Sequence, residues 1–219
     1  MKDKSLKIIF GNVEENTQAA SFCDKLKAGI RQHIVAYGTS LTEDGAWVNQ
    51  IRLTFDIKFP DLVTVTNSGK AGMWSTWGVE NLNERVIVLN PDAVFIEFGI
   101  NDACLPNETA LEKARTNLET IIDRILSHNP NCQIILMTMN PPIKEHLDIR
   151  PAIDAYYQMY RDVAQARNLL LIDHYPIWKA ILDKNIDNFI ALVPDGIHPN
   201  AQGCEMVTTP TILNALFGK

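Results

Sequence analysis

Five short runs, "HIVAY" (33–37), "LVTVT" (62–66), "AVFIEF" (93–98), "QIILMT" (133–138) and "LLLID" (169–173), are almost continuously apolar and rich in β-branched residues. A strand with one face in water alternates polar and apolar residues, so a run without alternation predicts a strand covered on both faces. Helical patterns separate the runs, over about 45–58, 78–88, 108–128, 152–167 and 202–216. The third is the clearest: Leu111, Ala114, Leu118, Ile121, Ile122, Ile125 and Leu126 recur at steps of three and four, the stripe of a helix packed on one side. Strands joined by crossovers of this length run parallel. The alternation therefore predicts an α/β sandwich around a parallel sheet of about five strands.

A chain of 219 residues with no internal repeat and no Pro/Gly/Ser-rich linker is expected to form a single domain over 1–219. Residues 1–32 precede the first clear strand as an N-terminal extension, with "LKIIF" (6–10) a possible edge strand and 17–28 a helix. The formal charge of −6 and the lack of a basic run argue against binding to nucleic acid or to an anionic membrane surface. No segment approaches the roughly 18 apolar residues that cross a bilayer, so membrane insertion is not expected. The apolar run near the N-terminus is too short for a signal-peptide core. A cytoplasmic location is the default expectation, with secretion left open if an export signal has been lost. Four scattered cysteines, Cys23, Cys104, Cys132 and Cys204, form no C-x-x-C pair and read as reduced core thiols.

Sites in parallel sheets assemble where strands end at their carboxyl edges. The first strand ends in "GTSLT" with Ser40 just beyond it, the second in "NSGKAG", and the third in "FGINDA" with Asn101 just beyond it. A fourth polar loop, "PDGIHPNAQG", precedes the last helix. A serine is a weak nucleophile alone and needs a base, an acid that fixes the base's tautomer, and donors for the developing oxyanion. Asp195 and His198 flank a glycine three residues apart, so a turn can bring the carboxylate to imidazole Nδ1 and leave Nε2 for Ser40. The Asn101 amide, the Gly69 N–H and the Ser40 N–H are candidate oxyanion donors.

Ser40 in a GxSL corner, Gly69 in NxG, Asn101 in GxND and His198 in DxxH, in that order, resemble the four blocks of the SGNH hydrolases, also called the GDSL esterase/lipase family. The resemblance implies a flavodoxin-like three-layer α/β/α fold and hydrolysis of carboxylic esters, of short acyl or O-acetyl sugar type, through an acyl-serine. It implies no metal and no organic cofactor, and a small-molecule ester as the partner. Carried over by position, it makes Ser40 the nucleophile, His198 the base and then the acid, Asp195 the orienting carboxylate, and Ser40, Gly69 and Asn101 the oxyanion hole. One position departs from the pattern: Thr39 stands where the family usually has aspartate, removing a charge beside the nucleophile. Thr42 also breaks the G-x-S-x-G elbow of the α/β-hydrolases. Two other readings of the same features are an acyltransferase using the same serine and a catalytically decayed flavodoxin-like ligand-binding protein. A phosphate loop at Gly38 is weaker, since no Walker-type lysine follows.

Several residues outside the blocks carry expectations. Glu97 lies in an apolar strand and needs a partner, for which Lys70 is one candidate cation. Asp102 reads as a loop or helix cap. His33, His128, His146 and His174 lack metal-ligand spacing and read as surface or packing residues. Cys104 reads as a small buried residue. Trp74 and Trp77 follow the Gly69 loop and either pack in the core or offer flat surfaces to a sugar ring or acyl chain. The segment "NPPIKEHLDIRP" (140–151) reads as a long irregular loop at a strand's carboxyl end, placed to cover a site.

Overall fold

The structure, a computed structural model, describes residues 24–218. The expected edge strand at 6–10, Cys23 and most of the expected helix 17–28 lie outside the described residues. Residues 24–27, at the end of that helix, are helical.

The five apolar runs form five strands, β1 (Gln32–Gly38), β2 (Val63–Asn67), β3 (Ala93–Glu97), β4 (Gln133–Thr138) and β5 (Leu170–Asp173). All pair in parallel, in the order β2-β1-β3-β4-β5. β3 and β4 are buried at every position, as expected of strands covered on both faces. Helices α3 (Ser75–Arg85), α5 (Leu111–His128) and α7 (Ile153–Arg167) pack side by side on one face of the sheet. On the other face lie α2 (Ala46–Lys58) and the closing segment, which runs from α10 (Ala201–Gly203) through a π-helical turn (Cys204–Thr208) into α11 (Thr209–Phe217). The result is a three-layer α/β/α sandwich.

Chain order reverses direction at β1, whose neighbours are β2 and β3, so the loops after β1 and β3 diverge to opposite faces and open a crevice between them. The register sets Gly38 opposite Glu97 at that switch point. Two short helices start there, α1 (Ser40–Glu43) after β1 and α4 (Gly99–Asp102) after β3.

Two regions depart from the sequence expectation. Helix α3 starts at Ser75 rather than near 78, because the buried Asp102 carboxylate accepts the Ser75 N–H at 2.9 Å and caps it from across the fold. Residues 174–192, outside the expected helices, form α8 (Tyr175–Lys184) and α9 (Ile186–Leu192). Trp178, Phe189, Leu192 and Val193 from this pair join Ile143 and Val207 in a second apolar cluster beneath the His198 loop. The segment 140–151 contains the short helix α6 (Glu145–Asp148) and otherwise has the irregular backbone expected of it. Cys104, Cys132 and Cys204 are buried free thiols.

Candidate active site

Ser40 is the first residue of α1, directly after the sharp exit from β1. Thr39 caps that helix, its Oγ1 accepting the Leu41 N–H at 3.1 Å. The Ser40 N–H, an orphan donor at a helix start, makes no hydrogen bond among the described residues. Ser40 Oγ stands 2.9 Å from His198 Nε2. On the other side of the ring, His198 Nδ1 is 2.6 Å from Asp195 Oδ2. The remaining oxygen, Asp195 Oδ1, accepts the backbone N–H groups of Ile197 at 3.0 Å and His198 at 2.8 Å. Burial works to raise the Asp195 pKa, but these two backbone donors and the imidazole outweigh it and bring the carboxyl down to about 2. The carboxylate is therefore charged throughout the neutral range and favours the ring tautomer whose Nε2 accepts the hydrogen bond of the Ser40 hydroxyl.

The loop that makes this geometry is locally specified. Gly196, between the acid and the base, has φ of +89°, a left-handed conformation open to glycine at little cost. Ile143 N–H donates to Gly196 O at 2.9 Å and Asn140 Nδ2 donates to Ile197 O at 2.9 Å, tying the loop to the end of β4. Asn200 closes it by accepting the Gly203 N–H at 2.8 Å and donating to Ala191 O at 2.8 Å.

The Gly69 loop lies directly against α1. A Cβ at Gly69 would sit 2.5 Å from the Glu43 nitrogen and 2.9 Å from Thr42 Cβ, so the close approach requires glycine. Asn67 pins the two segments together, its Nδ2 donating to Thr42 O at 2.8 Å and its Oδ1 accepting the Gly69 N–H at 3.0 Å. Lys70 N–H bonds to Gly38 O at 2.9 Å, placing this loop beside the end of β1. Asn101, in α4, is buried; its Nδ2 donates to Met73 O at 2.9 Å, and its Oδ1 accepts from Arg150 Nη2 at 3.1 Å. The loops carrying Ser40, Gly69 and Asn101 thus meet at one edge of the sheet.

Beneath Ser40 lies a buried polar cluster centred on Glu97. Glu97 Oε1 accepts the Thr39 N–H at 2.7 Å, Thr39 Oγ1 at 2.9 Å and Thr42 Oγ1 at 2.7 Å. A Cβ on Gly38 would come within 2.3 Å of Glu97 Oε1, so that glycine leaves room for the carboxyl to fold back toward the nucleophile turn. Burial pushes the Glu97 pKa up to about 7 against the pull of these donors. Lys70 is not its partner: the ammonium lies on the surface, 3.3 Å from Glu43. Thr39 therefore occupies the family's aspartate position as a neutral donor to a buried acid, where a second carboxylate would face Glu97 at close range.

Of the remaining singled-out residues, Trp77 packs against Tyr37, with ring centroids 5.9 Å apart, and under the Arg85 guanidinium. Trp74 is half-buried at the N-terminal boundary of α3, next to Met73, whose carbonyl holds Asn101. Buried His174 has its ring nitrogens 2.8 Å from Thr138 O and 3.2 Å from Thr208 O, a packing role. Sequence reasoning missed Asn67, the threonine partners of Glu97, and Arg150. Asn67 is the first letter of the NxG block, and Glu97 was visible as a charge in an apolar run; Arg150 left no local signal.

Beside Ser40 and His198 opens a small cleft of about 20 Å³ lined by Leu41, Gly45, Trp47, Met139 and Cys204. Among the described residues no helix is long and apolar enough to cross a membrane.

Residues 34–206 match the GDSL-like Lipase/Acylhydrolase family. A GDSL esterase/lipase of Arabidopsis thaliana is 32% identical over 134 residues, a match that spans 55% of this chain and 55% of that protein. Among solved structures, a lipase/acylhydrolase from Enterococcus faecalis superposes with a TM-score of 0.71 at 28% identity, covering 84% of this chain and 94% of that one. The acetylxylan esterase Axe2 from Geobacillus stearothermophilus shares the fold, with a TM-score of 0.73 at 24% identity over 88% of this chain and 97% of its own.

Proposed function

The chain belongs to the GDSL-like lipase/acylhydrolase family, which makes it a carboxylic ester hydrolase by class, and we propose that it works through an acyl-enzyme formed on Ser40. The observation that carries this reading is the unbroken chain of contacts from Ser40 Oγ through His198 to Asp195, at 2.9 and 2.6 Å. As Ser40 Oγ attacks the ester carbonyl, His198 Nε2 takes its proton and Asp195 stabilises the imidazolium. The carbonyl oxygen becomes an oxyanion, received by the Ser40 N–H, the second proton of Asn101 Nδ2, and the Gly69 N–H shared with Asn67 Oδ1. His198 then returns the proton to the leaving alcohol, and the acyl group stays on Ser40. Water, activated by the same nitrogen, releases the acid.

The substrate we propose is a short acyl ester, with O-acetylated sugars as the natural class. The cleft beside Ser40 supports a short acyl group. Its apolar walls include Leu41, Trp47 and Met139, which are 2%, 1% and 1% exposed and already packed into the core. Deepening it for a long chain would mean displacing these side chains from the core, where Trp47 packs on Phe95 of β3. Trp74, half-exposed beside the Asn101 loop, offers a flat surface of the kind that stacks on a sugar ring. The shared fold with an acetylxylan esterase points the same way.

Turnover of p-nitrophenyl acetate, butyrate and octanoate and of acetylated xylo-oligosaccharides, with Ser40→Ala as control, tests both halves. Acetyl substrates are expected to be turned over fastest, and a fluorophosphonate probe is expected to label Ser40. No turnover together with no labelling sinks the mechanism; a preference for octanoate sinks the substrate assignment alone.

A further inference from the structure

Arg150 is 6% exposed, yet among the described residues no carboxylate lies within ion-pair distance of it. Its guanidinium instead serves three oxygens. Nε donates to Ile100 O at 2.7 Å, Nη1 to His146 O at 3.3 Å and Nη2 to Asn101 Oδ1 at 3.1 Å. Burying a cation without a counter-charge costs stability, and a neutral side chain would fill this space with less penalty. What a neutral side chain cannot do is present a rigid fork made only of donors.

That property matters because an amide has two nearly isosteric ends. In the observed orientation Asn101 Oδ1 faces Arg150 and Nδ2 donates to Met73 O at 2.9 Å. Turned over, the NH₂ would face a group that has no acceptor, and Oδ1 would face the Met73 carbonyl. Both hydrogen bonds would be replaced by contacts of like polarity. The guanidinium and the Met73 carbonyl therefore admit one orientation of the amide, the one that keeps an NH₂ on the Met73 side with one proton unspent. The positive charge on the oxygen side also draws electron density from the amide nitrogen and strengthens that proton as a donor. The bond to Ile100 O fixes the backbone of α4 on the same anchor.

We propose that Arg150 is a positioning residue for the oxyanion hole, setting the orientation and donor strength of the Asn101 amide. The proposal rests on the acyl-serine reading above. It distinguishes Arg150 from a residue that merely holds the 140–151 segment in place, because its effect must pass through one side chain.

The test is a double-mutant cycle on p-nitrophenyl acetate hydrolysis, with Arg150→Met and Arg150→Lys made in the wild type and in Asn101→Ala. In the wild-type background Arg150→Met is expected to lower kcat roughly 10- to 100-fold with KM changed less than about twofold, the pattern of a lost transition-state contact. Arg150→Lys, which keeps the charge and loses the fork, is expected to fall between. In the Asn101→Ala background either substitution is expected to cost less than about twofold more, since the group it acts on is gone. Should Arg150→Met fail to fold, the lysine variant carries the cycle. If the losses multiply instead, or if kcat is unchanged in Arg150→Met, the assignment fails. If the wild type itself neither turns over nor labels at Ser40, the acyl-serine reading is what has failed.

Discussion

Replacing Glu97 by glutamine isolates the energetic consequence of burying an acid beneath the nucleophile. Burial raises the Glu97 pKa from an ordinary 4.5 to about 7 despite the donors from Thr42 and Thr39. The folded state therefore holds a proton on this group, between those two values, that the unfolded chain has released. Stability must then fall as pH rises through that window and level off above it. At about 1.4 kcal/mol per pKa unit the full span is about 3 kcal/mol, most of which falls between pH 5 and pH 8. Asp102, pushed up to about 6 by burial against the Ser75 bonds, adds a slope of the same sign. Asp195, pulled down to about 2, contributes stability that is lost only at lower pH. Asp102 also helps to raise Glu97 through its charge, so the difference between the two proteins reports Glu97 together with that coupling, while Asp195 is not in contact with it. Glutamine keeps an acceptor for the Thr39 N–H and cannot ionise. Urea unfolding at pH 5, 6, 7 and 8 is expected to show the variant gaining about 2–3 kcal/mol relative to wild type across the range. Parallel curves, differing by less than about 0.5 kcal/mol in their pH dependence, would refute the reasoning that burial dominates this site.

Two further substitutions probe the machinery around it. Asp195→Asn retains an acceptor for the Ile197 and His198 N–H groups but can set an amide NH₂ against imidazole Nδ1, favouring the wrong tautomer; kcat for p-nitrophenyl acetate is expected to fall about 10³- to 10⁴-fold with little change in KM. Gly69→Ala places a methyl 2.5 Å from the Glu43 nitrogen, a backbone atom of the helix that carries Ser40. That helix must shift, so we expect a loss of about 1–3 kcal/mol by thermal unfolding and at least a tenfold lower kcat. Unchanged melting and rate would mean that the Gly69 loop and α1 are not packed as described.

Much of this architecture was legible in the chain because its signals are local. The lack of alternation in β1, β3 and β4 reports cover on both faces, whereas the edge strands β2 and β5 are only partly covered, and each strand appears within one or two residues of its expected bounds. Asp195 and His198 lie three residues apart, so their pairing needed only a turn, and Gly196 marks where it bends. The helices at 175–192 escaped notice although Ile177, Trp178, Ile181 and Leu182 follow helical spacing. Their apolar residues face a small satellite cluster rather than the main core, so the stripe is narrower than that of α5.

By itself, then, the sequence determined the succession of strands and loops and supplied the serine, asparagine and histidine that those loops present. Tertiary structure alone decided how the supporting groups meet. Thr39 reaches Glu97 across 58 positions and Arg150 reaches Asn101 across 49. Neither separation corresponds to any helical or strand period, so no pattern along the chain can announce them. The first follows from the strand order that sets β3 beside β1 and from the register that puts Glu97 opposite Gly38, the second from β4 lying on the other side of β3. That register gives the departure at Thr39 its physical reason: the family's aspartate position here faces a buried acid, and a neutral hydroxyl donates where a second carboxylate would repel.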